Sequence, residues 1–362
     1  AVQLNGVSAA MVLLKCERVC LSMVGNSGMT ALDWAREYQM GELVSALQHE
    51  MNKRQENLPK SFILQSVDGM SKMEIIESVK SNDRGVNDAD QETGLTLLHY
   101  ACMRNLVHVI EALFEFEELD VNVVHRGTGN RPLHLSAHLN CFGAINLLVS
   151  HPNINTNSTN LGGGSSRFGT NSSGETALYI ACLYGYFKCV EALLTHPKTD
   201  PNRGHAVLGN DGWLPLHKLV NRWEGGRNGG GSASDCSRVE TMRLLLHDPR
   251  TNPNLPRAYW TGFQSPLADL VGSPWCCRSQ ARMLLNHSKI NVNQLTKDGW
   301  SVLTNCDGTN LGTEFMLLAD SRVDITLMSD TRYTPLMTAR DHSAFAVFEV
   351  LLQSPLHDLR AL

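Results

Sequence analysis

Three leucine-rich runs of this 362-residue chain close in nearly the same way: "LLVSHPNINTN" from Leu147, "LLTHPKTDPN" from Leu193 and "LLNHSKINVN" from Leu284. A histidine that recurs in one context could be a metal ligand, a catalytic base or part of a turn. His134 and His138 add the i, i+4 spacing that puts two imidazoles on one helix face, as a zinc pair requires. Between them, however, stands no acidic residue to act as the general base of an HExxH site. Cys276 and Cys277 are adjacent and cannot chelate as CxxC does, and none of the ten cysteines forms such a pair. "GGGSS" (Gly162 to Ser166) is not followed by GK[ST], so it is no phosphate loop, and no G-x-S-x-G elbow offers a nucleophile. No cofactor and no metal is expected.

The recurring histidine can be tested by aligning the chain on itself. The place of His196 is taken by His151, Asp248, His287, Asp320, Ser354 and Phe116, a list that no common metal or reaction tolerates. What persists is a leucine pair, a helix stop often carried by proline, then Asp or Asn, a spacer, and Asn. Examples are Ile154/Asn155/Asn157, Thr199/Asp200/Asn202, Thr251/Asn252/Asn254 and Ile290/Asn291/Asn293. Short Asx side chains bond nearby backbone groups and shape turns, so the expectation for the whole segment is structural.

The elements that position these turns are written many times over. Thr176-Ala177-Leu178-Tyr179-Ile180-Ala181 has counterparts at Thr96–Ala101, Arg131–Ser136, Leu214–Leu219 and Thr334–Ala339. Shorter ones begin at Ser265 and Ser301, and an upstream one at Thr30. Thr or Ser caps a helix start, proline fits the first helical turn, the leucine faces a core, and a small residue lets a second helix approach. Gly185, matched by Asn5, Asn105 and Asn140, suits the left-handed end of that helix. A second helix then ends in the leucine pair. Core leucines from Leu98 through Leu133, Leu178, Leu216, Leu267 and Leu303 to Leu336 recur 33 to 51 residues apart.

This unit resembles the ankyrin repeat, "TPLHxAxxxG" with a second helix and an Asx-rich hairpin leading to the next "DG". The resemblance covers most of the chain and implies an all-α repeat solenoid of stacked helix–turn–helix units with intervening β-hairpin loops. It also implies that His99, His134 and His217 serve hydrogen bonding between repeats. Residues 1–55 read as N-terminal repeats, the first truncated, since Ala1 aligns with Ala181; residues upstream are therefore expected. Residues 56–90 read as a degenerate repeat, with Met73, Ile75, Ile76 and Val79 on its second helix, or as a linker. Residues 91–362 read as an array with Gly/Ser-rich insertions at 158–174 and 222–237, and the repeat at Val302 to Leu318 is eroded.

Net charge of −5 gives no basic field for nucleic acid or anionic membrane, and the run "AAMVLL" is too short to span a bilayer. Scattered cysteines without a secretory signal favour a reducing cytoplasmic or nuclear compartment. The resemblance implies protein partners, bound through a concave surface of hairpin tips and first helices, and a non-catalytic scaffold or adaptor; of the oligomeric states, which the residues do not fix, a monomer is favoured. The alternative is a regulatory or substrate-recruiting segment of a ubiquitin ligase, kinase or channel. Candidate contact residues are Arg126, Arg131, Arg167, Phe168, Trp213, Trp260, Trp300 and Tyr333, with Trp213 and Trp300 either anchoring a partner or covering neighbouring hairpins. Asp120-Val121-Asn122 is similar to the local form that asparaginyl hydroxylases modify in ankyrin hairpins, although a turn-forming asparagine is the more ordinary reading.

Overall fold

In a computed structural model the chain is described at residues 46, 70–81, 85–90, 93–160, 174–204, 213–220, 235–259, 262–271, 278–296, 299–306 and 311–353. Its contacts divide it into two compact units, residues 1–154 and 155–362. The boundary falls inside the array that the repeat pattern runs through. The expected N-terminal repeats lie outside the described residues apart from Ala46.

In the first unit, α1 (Lys72–Ser81) packs on α3 (Val107–Leu113), and the pairs α2 (Leu97–Met103) with α3 and α4 (Pro132–His138) with α5 (Phe142–Ser150) form two helical hairpins. First helices pack on first helices (α2 on α4) and second on second (α3 on α5), which is the stacking of a repeat solenoid. Within residues 56–90, Ile75 and Val79 of α1 are buried, whereas Met73 is exposed.

The second unit repeats the scheme. The hairpins are α6 (Ala177–Tyr184) with α7 (Phe187–Thr195), α8 (Pro215–Val220) with α9 (Asp235–His247), and α10 (Pro266–Val271) with α11 (Arg278–Leu285). Beyond them come a 3-10 turn (Leu303–Asn305), α12 (Leu311–Leu318), and the pair α13 (Pro335–Asp341) with α14 (Phe345–Gln353). The eroded repeat thus keeps its second helix but shortens its first to one 3-10 turn. The helix α9 starts at Asp235, inside the stretch expected to belong to the 222–237 insertion.

Caps obey the sequence grammar. Thr96, Thr176 and Thr334 accept the amide of the residue three on, and Ser265 and Ser301 do the same for Ala268 and Thr304. Asn105, Asn140 and Gly185 end first helices at positive φ, and in the last repeat Ser343 takes that place. Asparagine adds something glycine cannot: Asn105 Oδ1 accepts the Ala144 amide at 2.9 Å, capping the second helix of the next repeat. Leu98, Leu113, Leu133, Leu148, Leu178, Leu193 and Leu219 are among the fully buried side chains. Each such leucine contributes about 1.5–3 kcal/mol on burial.

The connecting hairpins are shorter than a β-ladder needs. Among the described residues, paired strands occur at β1 (Arg257–Tyr259) and β2 (Gly262–Gln264), antiparallel with Arg257 opposite Gln264. A single bridge joins Thr159 to Thr176. Elsewhere a backbone bond closes the neck, from Asp90 to Leu95, His125 to Asn130, Thr296 to Trp300 and Ser329 to Tyr333. A further bond lies inside each turn, from Gly94 to Asp90, Gly129 to His125, Gly299 to Thr296 and Arg332 to Ser329. Gly94, Gly129, Gly174 and Gly299 turn these necks at positive φ, and Arg332 does so in the last one.

Candidate interaction surface

The histidine column resolves into turn chemistry. Nδ1 of His151 accepts the Asn153 amide and Nδ1 of His287 accepts the Lys289 amide, both at 3.2 Å. Where the column holds aspartate, Asp248 Oδ1 accepts from Arg250 N–H at 2.9 Å and Asp320 Oδ1 from Arg322 N–H at 3.0 Å. His and Asp interchange because each presents an acceptor to the amide two residues on.

The choice of His or Asp also sets how the preceding helix is capped. An accepting Nδ1 leaves Nε2 as the donor, and His287 Nε2–H reaches the Leu246 carbonyl, at the end of the preceding repeat's second helix, at 3.2 Å. In the aspartate versions an arginine performs that capping: Arg250 donates to the Leu194 carbonyl at 2.8 Å and Arg322 to the Leu285 carbonyl at 2.6 Å. Each guanidinium is held by its own aspartate, Asp248 or Asp320. A cation at a helix C-terminus also meets the negative end of its dipole. His196 departs from this scheme, since its Nδ1 has no hydrogen-bond partner and Arg250 occupies the neighbouring carbonyls of Leu194, His196 and Pro197. Partial burial, then Lys198 and Arg250, hold its imidazole below the usual range.

The two Asx residues after the stop do different work. The first shapes the turn: Asn252 Oδ1 accepts Asn254 N–H at 3.0 Å, and Asp200 Oδ1 accepts Asn202 N–H at 2.9 Å. The second reaches into the next repeat and grips two backbone groups at once. Asn254 donates to the Lys289 carbonyl at 2.6 Å and accepts from Asn291 N–H at 2.7 Å. Asn87 does this to Glu118 and Asp120, Asn157 to Lys198 and Asp200, Asn202 to Arg250 and Asn252, and Asn293 to Arg322 and Asp324. Asn122 belongs to this column, and its carboxamide donates to the Asn153 carbonyl at 2.7 Å. It is therefore a clamp between hairpins rather than a former of its own turn. The ladder ends at Thr326, whose hydroxyl turns back to Asp324.

The motif histidines bond across repeats. His99 Nε2 meets the Asn130 carbonyl at 3.3 Å, and His217 Nε2 the Gln264 carbonyl at 3.0 Å. Burial drives their pKa down to about 4 and about 3, so both are neutral imidazoles in the folded chain. His138 is likewise lowered to about 4 by burial. Among the described residues, no group of three or more His, Cys, Asp or Glu could hold a metal ion.

The expected contact residues divide. Arg126 is exposed; Arg131 is half-buried, its guanidinium lowered by desolvation against the pull of Asp120. Arg167, Phe168 and Trp260 lie outside the described residues. Trp213 is 8% exposed, with the Arg257 guanidinium 3.9 Å and Lys218 Nζ 5.0 Å from its ring centroid. The repeat pattern puts it at an exposed tip, but this chain's own cations cover it. Trp300 is half-buried and tilted against Tyr333 at 5.9 Å, and Tyr333 is 37% exposed with its hydroxyl on Asp341 Oδ2 at 2.8 Å.

Sequence reasoning missed another apolar set, two residues beyond the clamping position in three of the hairpins. Val124 and Leu295 are each 44% exposed and Met328 is 55% exposed. In the second unit the set lies on the same two hairpins as Trp300 and Tyr333. Large apolar side chains repeated where a turn would ordinarily carry polar residues were the available signal.

Known proteins share this architecture. A family described as "Ankyrin repeats (3 copies)" matches residues 67–160, and "Ankyrin repeat" matches 173–205. A B-cell lymphoma 3 protein homolog of Mus musculus is 27% identical over 252 residues, which cover 69% of this chain and 49% of that protein. The chain thus spans about half the length of that curated relative. A solved structure, the ankyrin repeat domain of Bcl-3, described as a unique member of the IkappaB protein family, superposes with a TM-score of 0.53. It is 24% identical and covers 72% of this chain and 100% of the solved domain.

Proposed function

We propose that this chain, whose residues 67–160 and 173–205 match ankyrin repeats, is a non-catalytic scaffold or adaptor that grips its protein partner with hairpin tips and first helices. The observation that carries this reading is the apolar set Leu295, Trp300, Met328 and Tyr333 on two successive hairpins of the second unit. Asn293, which clamps those hairpins together, fixes the spacing of the set. Tryptophan and tyrosine are among the residue types that dominate binding energy in protein interfaces. Leu295 and Met328 extend them into an exposed apolar patch of the kind that marks interaction sites. Arg126 and Arg131 extend the proposed contacts in the first unit. The half-buried Asn122 amide donates to a carbonyl, and a hydroxylase acting on it would need that clamp to open first.

The protein acts inside the cell in this reading. Cys102, Cys141, Cys182, Cys189 and Cys306 are buried, and burial holds the Cys102 and Cys182 thiols well above their usual range. Residues 56–90 form a degenerate repeat rather than a linker, on the support of α1 packing against α3. The chain works as a monomer, and its partners are proteins rather than nucleic acid. The test is affinity capture from an intracellular extract with the chain and with a Trp300→Ala/Tyr333→Ala variant of matched stability. Partners retained by the first and lost by the second support the reading; an identical set of captured proteins refutes it.

A further inference from the structure

Two buried cations of the second unit meet at one indole. Arg257 and Lys218 both lie against Trp213. Arg257 is held by Asp269 through a two-bond fork, with both side chains 2% exposed. Burial raises the Asp269 carboxyl even against that fork. Lys218 is buried too, and the acid that faces it is Glu175, which also bonds the Asn160 side chain.

Glu175 stands at the mouth of a stem. Asn160 N–H donates to the Glu175 carbonyl and Gly174 N–H to the Asn160 carbonyl, both at 3.1 Å, and Glu175 N–H donates to Asn160 Oδ1 at 2.6 Å. Residues 161–173, most of the first Gly/Ser-rich insertion, leave and return through this stem. From α6, Tyr184 faces the same carboxyl, and burial, then that carboxyl, raises its phenol. From α9, Arg238 donates to the Lys218 and Leu219 carbonyls, and from β1, Arg257 takes the indole that Lys218 also touches. A buried carboxylate is costly unless well paired. Here its facing cation is itself desolvated and shared with an aromatic ring.

We propose that Glu175 is a proton-operated brace of this stem: protonated, it closes the stem against α8, and ionised, it loosens the hairpin that carries the insertion. Burial lifts its carboxyl to about 7, with Asn160 and Lys218 pulling the other way. The folded value lies above the ordinary 4.5 of a glutamate, so the stem binds its proton more tightly closed than open. Closure is therefore favoured at low pH and lost as pH rises through the folded value.

The test is amide hydrogen exchange at Asn160 and Gly174 in the full chain from pH 6 to pH 8, corrected for intrinsic rates. Wild-type protection should fall about tenfold across that range. Glu175→Gln should stay flat, and at pH 8 should be more protected than the wild type is even at pH 6. A variant that tracks the wild-type profile overturns the proposal. So does a variant less protected than wild type at pH 8, the mark of an ordinary Glu175–Lys218 ion pair. If Glu175→Gln does not fold, Lys218→Met serves instead: the midpoint should move to higher pH, and an unmoved midpoint overturns the brace.

Discussion

Replacing Asn254 by alanine removes two bonds that join successive hairpins, the 2.6 Å bond to the Lys289 carbonyl and the 2.7 Å bond from the Asn291 amide. Each such bond contributes about 0.5–1.5 kcal/mol net. Both backbone groups lie at the surface and can take water once freed, so the expected loss is in the lower part of the summed range, about 1–2 kcal/mol. Asn252→Ala is the informative partner, because its side chain makes the local turn bond to Asn254 N–H and leaves the inter-repeat grip in place. It should cost less, about 0.5 kcal/mol. Asn254→Asp keeps an acceptor for Asn291 N–H but sets a carboxylate against the Lys289 carbonyl, and should be at least as damaging as alanine. Urea unfolding gives the stabilities, and hydrogen exchange at the Asn291 amide reports the clamp itself. If Asn254→Ala is no worse than Asn252→Ala and the Asn291 amide keeps its protection, the clamp is not what holds these hairpins together.

The same geometry has other measurable consequences. Leu193→Ala should cost about 2–5 kcal/mol as a buried cavity, while deleting Gly162–Ser173 should change stability by less than about 1 kcal/mol, because loop-closure entropy varies slowly with length; thermal or urea unfolding compares the two. His99 and His217 have folded pKa values of about 4 and about 3, below the unfolded 6.5. Their contribution is complete above that unfolded value and is lost as pH falls, by about 2 kcal/mol per histidine between pH 7 and pH 5. His217→Gln should flatten its share of the pH profile measured by urea titration. Arg332, a side-chain-bearing residue at φ 61 where four other hairpins have glycine, should gain about 0.5–1 kcal/mol on replacement by glycine, read as a raised unfolding midpoint.

The local grammar is legible in the sequence because each letter acts within one turn of its own backbone. Thr96, Thr176 and Thr334 cap helices, Asn105, Asn140 and Gly185 take the left-handed end, and the leucines fill the core. The histidine column reads as structural from its substitutions alone, although its alternation with an Asp–Arg pair needs coordinates to explain. What escapes is whatever depends on the neighbouring repeat. Asn254 and Asn122 look like turn residues until the next hairpin supplies a carbonyl, and Trp213 looks like a tip anchor until Arg257, from a later hairpin, lies over it. Alignment gives a residue its column but not what covers that column. Exposure of Leu295 and Met328 escapes for the same reason.

If this chain binds protein through its hairpin tips while its recurring histidines only build turns, the two sets of residues must separate in a binding assay. The most direct measurement is the dissociation constant for a captured partner, taken in parallel on Leu295→Ser/Met328→Ser and on His151→Ala/His196→Ala. The hairpin pair should weaken binding at least about tenfold, the scale of truncating one interface anchor, with its stability unchanged. The histidine pair should leave affinity within about twofold. Affinity that survives the hairpin changes but collapses with the histidines would contradict the account.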